Sequence, residues 1–180
     1  MLKKIIPWVL ILSLCGICQI GLATNDNLNY QPQPQAYATK GIYAEANGGV
    51  SFVHINDVFG FSFTETGFGG NANVGYQFNR YFALEGGYTG FYIDSSYFNA
   101  VDAAIKGILP LDSNNRVKLF AKVGPSFVFA NGDGLIGILG GLGIGIGLSQ
   151  NLDLNLQFQD NLIPGASFGL GSVGLTYHFA

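Results

Sequence analysis

Three groups of residues in this 180-residue chain suggest chemistry. His54 stands three residues before Asp57 and eight before Ser62, which supplies the side chains of a nucleophilic triad. Gly132, Gly134 and Gly137 fit G-x-G-x-x-G, the spacing that cradles a dinucleotide pyrophosphate. Glu45, Glu85, Asp102, Lys106, Lys118, Lys122 and Asp153 stand within otherwise apolar or small-residue segments, where a charge needs a partner.

The residues downstream of the glycine motif decide its meaning. A dinucleotide site needs a helix there, yet seven of the 14 residues from Gly134 to Gly147 are glycine. Each costs a helix roughly 1 kcal/mol against alanine. The same penalty weakens a membrane helix built on Gly137, Gly141 and Gly145, and the stretch falls short of the ~20 residues of a span. A period of two remains. Leu142, Ile144, Ile146 and Leu148 alternate with Gly141, Gly143, Gly145 and Gly147. After Ser149-Gln150-Asn151, Leu152, Leu154, Leu156 and Phe158 alternate with Asp153, Asn155, Gln157 and Gln159. The motif belongs to a β-hairpin.

The triad candidate is weaker still. A histidine beside an aspartate at a loop is ordinarily solvated, and His178 has only Thr176 on its strand face. We expect no enzyme, no catalytic residue and no cofactor. No metal-ligand spacing is present. Charged residues are only 11% of the chain and the net charge is −3, which argues against nucleic acid.

Export is expected from residues 1–23. Lys3 and Lys4 precede an apolar stretch that ends in Gly21-Leu22-Ala23, the pattern of a cleaved signal peptide. Cys15 and Cys18 both lie in it, so the mature chain is expected to have no disulfide, thiolate site or cysteine nucleophile. Residues 24–40 are polar, carry prolines and show no period, as a flexible periplasmic leader would.

From residue 41 onward the two-faced alternation recurs in eight stretches. One face is aliphatic and aromatic. The other carries Glu45, Asn47, Asn71, Asn73, Glu85, Asp102, Lys106, Lys118, Lys122, Asp153 and glycines. Connections after the second, fourth and sixth stretches read as short, and those after the others as longer. An even number of strands with short turns at one end predicts an all-β, antiparallel up-and-down transmembrane barrel. A soluble barrel would also alternate, but its exterior would then be mostly glycine and amide, a poor surface for solubility. An outward apolar face without charge suits lipid. Aromatics at its two ends, Tyr76, Phe78, Phe82, Tyr177 and Phe179 against Phe52, Phe68, Tyr88, Phe127 and Phe158, form the expected belts.

"GYQFNRYFALEGGYTGF" (residues 75–91), "IKGILPLDSNNRVKLFAKVG" (105–124) and "GSVGLTYHF" (171–179) resemble the small eight-stranded outer-membrane barrels of Gram-negative bacteria, which include the OmpA-type transmembrane domain. The resemblance covers residues 41–180 and includes no peptidoglycan-binding domain. It implies a porin-like barrel in the cell outer membrane, in contact with lipid and lipopolysaccharide. It further implies delivery by the outer-membrane assembly machinery, with Tyr177 and Phe179 as the insertion signal, although Ala180 follows the terminal aromatic.

The resemblance also implies an interior charged layer. A hairpin centred on Asn114 sets Lys106 opposite Lys122, and one centred on residues 95 and 96 sets Glu85 opposite Lys106. Such a layer suits a packed structural core better than a gated ion path, because unpaired buried charges are costly. The expected role is structural or adhesin-like, with loops available to an unidentified surface ligand. A narrow ion or small-solute channel and a lipid A-modifying barrel enzyme are the alternatives.

Overall fold

The computed structural model describes residues 37–56, 62–130 and 133–179. The signal peptide, most of the leader, Asp57, Gly132 and Ala180 lie outside the described residues. Eight strands run in order: β1 (Gly41–Asn56), β2 (Ser62–Asn79), β3 (Phe82–Ile93), β4 (Ser96–Pro110), β5 (Val117–Ala130), β6 (Asp133–Gly147), β7 (Leu152–Ile163) and β8 (Ala166–His178). Each pairs antiparallel with the next, and β8 returns to β1, so the sheet closes.

Closure comes with a large stagger. Stepping between paired residues from Gly41 through Gln77, Ala83, Lys106, Lys122, Gly141, Gln159 and Leu170 returns to β1 at Ser51, ten residues further on. Strands in such a barrel must tilt strongly against its axis. The alternation then decides which side chains meet inside. Glu45, Asn73, Glu85, Lys106, Lys122, Gln157 and Thr176 are buried, while Val74, Ile105, Val123, Leu142 and Leu156 are each more than half exposed on the outer wall.

The connections depart from the expected lengths. At the end away from the described termini (the far end), β3–β4 is the pair Asp94-Ser95 and β7–β8 the pair Pro164-Gly165. Asp94 and Ser95 both have positive φ, 44° and 64°, matching the twist of a tight hairpin. At the end that holds the described termini (the near end), β4–β5 and β6–β7 are joined by six and four residues. Polar residues read as loop, such as Ser62, Thr64 and Ser96, instead extend the strands and satisfy their backbone groups across the hairpin. At 12 to 18 residues, the strands exceed the 9–11 or so that cross a bilayer.

Candidate functional site

The lumen is where this sequence concentrates its chemistry, and β6 shows how it is packed. Its inward glycines leave room for the long side chains paired with them on β5. Lys122 is opposite Gly141, Phe120 opposite Gly143 and Lys118 opposite Gly145. A Cβ on Gly143 would stand 2.5 Å from the Phe120 ring, and one on Gly141 3.0 Å from Lys122 Cγ. The glycines therefore supply depth rather than flexibility.

All seven charged residues singled out in the sequence point inward and are less than a tenth exposed. They form three groups rather than one layer. In the first, Lys106 Nζ lies 3.0 Å from Glu45 Oε2 and 3.2 Å from Glu85 Oε2, while Lys122 Nζ lies 3.2 Å from Glu85 Oε1. Lys106 and Lys122 are directly opposite each other on β4 and β5. Glu85 relieves that like-charge contact by taking one ammonium on each oxygen. Two carboxylates and two ammoniums balance. The Tyr43 hydroxyl donates to Glu85 (2.8 Å), and the Lys106 ammonium sits 4.3 Å over the Phe120 ring.

The hairpin centred on 95 and 96 is corrected by the register. The turn is Asp94-Ser95, so Glu85 faces Ala104 and Lys106 faces Ala83. A one-residue move of a turn centre shifts every partner by two. The lysine's long stem spans the diagonal, and the ion pair forms anyway.

The second group lies at the near end, where Asp153 Oδ2 is 2.6 Å from Lys118 Nζ and 2.9 Å from His178 Nε2. His178 was not among the interior candidates; its place in alternation with Thr176 on β8 was the available signal. The third group has no lysine. Asp102 accepts from Thr89 (3.3 Å) and from Asn161 (3.1 Å), and Asn161 also donates to Ser126. Amides join this group to the first: Gln159 donates to Thr89, Asn71 to Gln159 and Asn47 to Asn71. Asn47 and Asn73 both donate to Glu45. Asn155 also donates to the Thr176 hydroxyl beside them.

Towards the far end the lumen turns apolar. Val53, Phe91, Ile93, Ala100, Val128, Phe168 and Leu170 form a buried cluster, with Phe98, Ile163 and Ala166 packed against it. The Phe168 ring lies 5.6 Å from Phe91 and 5.0 Å from Phe98, in tilted geometries. At the near end a cavity of about 20 Å³, bordered by Tyr43, Gln77, Lys118, Asp153 and His178, is of water size.

Residues 37–40 correct the expectation of a structureless leader. The Tyr37 and Ala38 N–H groups donate to the carbonyls of Asn114 and Gln150, 3.5 and 3.2 Å away. The Tyr37 ring lies against Gly147, filling the last glycine position of β6 from outside the barrel sequence.

The triad candidate is not assembled among the described residues. His54 Nδ1 is 2.9 Å from the Thr64 hydroxyl, and Asp57 lies outside them. No group of three His, Cys, Asp or Glu side chains among the described residues could hold a metal ion. Tyr177 and Phe179 lie on the outer wall in edge contact, centroids 5.2 Å apart.

No protein-family model matches the sequence, and no curated protein is significantly similar to it. Solved structures share its fold. Neisserial surface protein A (NspA) aligns over 79% of this chain and 99% of its own, with 20% identity and a TM-score of 0.58. Ail, the attachment invasion locus protein of Yersinia pestis, in complex with the heparin analogue sucrose octasulfate, aligns over 77% and 99%, at 12% identity and a TM-score of 0.54. The N-terminal β-barrel domain of Pseudomonas aeruginosa OprF aligns over 78% and 99%, at 10% identity and a TM-score of 0.54. The chain has the fold of the eight-stranded outer-membrane barrels.

Proposed function

We propose that this chain is an exported, non-enzymatic barrel of the outer membrane that acts as a structural or surface-interacting element rather than a pore. The filled lumen carries this reading. A balanced ion-pair group, an amide ladder and an apolar cluster succeed one another along the barrel, and the cavity among the lumen side chains Tyr43, Lys106, Lys118, Asp153 and His178 holds only about 20 Å³. A channel needs a continuous polar path, and the apolar cluster interrupts it. The charged groups act as a structural core. The apolar outer wall and its two aromatic belts fit lipid, and Tyr177 and Phe179, exposed in the near-end belt, suit recognition by the assembly machinery.

The near end faces the periplasm in this reading. The far end faces outward and contacts lipopolysaccharide and any surface ligand. Among the described residues its tips carry Glu65, Asp94 and Asp133 and no lysine or arginine, so a cationic partner suits them better than a sulfated polysaccharide. Planar-bilayer recording of the refolded chain tests the proposal. We expect no discrete conductance steps. Reproducible single-channel steps would establish the channel reading instead.

A further inference from the structure

We propose that residues 37–40 are a strap that closes the near-end mouth over the Lys118–Asp153–His178 group, and that it lifts while the barrel stays closed. The path of the chain gives the first argument. Gly41 has a φ of 124°, a conformation open to glycine, and there the chain leaves β1 and turns. Its contacts are then made far from β1. Asn114 lies in the β4–β5 connection, beyond β2, β3 and β4, and Gln150 lies in the β6–β7 connection, beyond β8 and β7. The Tyr37 and Ala38 N–H groups donate to the carbonyls of these two residues. An eight-stranded lumen is only wide enough for side chains. Four extended residues reach roughly 14 Å, so the segment can cross it.

What lies under the strap gives the second argument. Ala38 and Thr39 border a small hollow together with Gln77, Ile108 and Lys118. The same three residues border the water-sized cavity beneath it, which Asp153 and His178 line from within. The Tyr37 ring lies against Gly147, and Gly147 pairs with Asp153, so the ring stands beside the carboxylate that holds Lys118 and His178. His178 is the last residue of β8, yet it is only 4% exposed. A side chain at the end of a strand beside an open mouth would be solvated. The strap supplies the cover.

The strap is also separable. The β1 ladder begins at Gly41, and among the described residues the strap's backbone hydrogen bonds are the two from Tyr37 and Ala38. Lifting it breaks these two bonds and one ring contact, whereas opening the barrel breaks a whole strand interface. Weakly held segments of this kind open locally, at a small part of the cost of global unfolding. The near-end ion group is therefore sealed when the strap is down and reachable from outside when it is up.

The two histidines of the chain, His54 and His178, lie at opposite ends of the barrel and make this measurable. Diethyl pyrocarbonate acylates an imidazole nitrogen, and peptide mass spectrometry of the refolded full chain reads each histidine separately. In His178, Nε2 donates to Asp153 and Nδ1 has no partner, so Nδ1 is the nitrogen that reacts once uncovered. In the wild type, His178 should react at least tenfold more slowly than His54. Tyr37→Ala removes the ring, and Ala38→Pro removes the N–H donated to Gln150 while keeping the ring. Each should speed His178 several-fold, leave the rate of His54 unchanged and preserve the heat-dependent gel shift of the wild type. Equal rates for the two histidines in the wild type, or an unchanged His178 rate in both variants, would overturn the proposal. So would loss of the gel shift in Tyr37→Ala, which would make the segment an integral part of the barrel.

Discussion

The middle and the far end of the lumen are built by the same strands with the same inward parity, yet they are filled by opposite chemistry. Around Glu45, Glu85, Lys106 and Lys122, every group depends on a specific neighbour, because two carboxylates and two ammoniums share one dry space. Around Phe168, ten apolar side chains need only fill volume. Pairing is unforgiving to deletion and tolerant of compensation. Packing grades smoothly with size.

Lys106→Ala should have the largest effect. It strips Glu45 of its only close ammonium and leaves Glu85 with Lys122 alone, and breaking a buried pair in this way costs about 3–5 kcal/mol. Urea unfolding of the refolded protein in detergent measures it. Adding Glu45→Ala leaves a neutral Glu85–Lys122 pair, so the double variant should be destabilised by less than the sum of the two single changes. Strict additivity would show that these side chains do not meet.

Phe168→Ala should cost about 3 kcal/mol in the same assay, at the lower end for a buried phenylalanine because the cluster lies towards one mouth of the barrel. Phe168→Leu should cost under about 1.5 kcal/mol, since most of the apolar volume is kept and no charge is stranded. A Phe168→Leu loss as large as that of Lys106→Ala would erase the contrast between pairing and packing. Gly143→Ala should cost about 1–3 kcal/mol, because its Cβ enters the space of the Phe120 ring. Tyr37→Ala should be smallest, below about 1 kcal/mol, as a single ring at a wet mouth is lost.

Legibility in the sequence depended on contrast between neighbouring residues. Leu152-Asp153-Leu154-Asn155 assigns its own faces, as does Leu142-Gly143-Ile144-Gly145. Gly90-Phe91-Tyr92-Ile93 does not, because both faces are apolar there, and the far-end cluster stays hidden. Extending the inward parity of Glu85 and Thr89 by two and four residues reaches Phe91 and Ile93. Register was legible where a long polar turn marks its own centre: Asn114 correctly sets Lys106 opposite Lys122. The β3–β4 turn sits inside the polar run Asp94-Ser95-Ser96, which does not mark its centre, and the expected pairing there slipped by two. Glycine shows only spacing, so nothing in the sequence said that Phe120 and Lys122 would lie over β6. Loop length failed because polar residues served as strand.

The filled lumen and the apolar outer wall both require that the sheet close with its apolar face outward. Gel mobility of the membrane-extracted protein, with and without boiling, tests that most directly. A closed barrel held by eight paired strand interfaces should resist detergent unheated and run as a compact band that shifts on boiling. Identical mobility before and after boiling would contradict it.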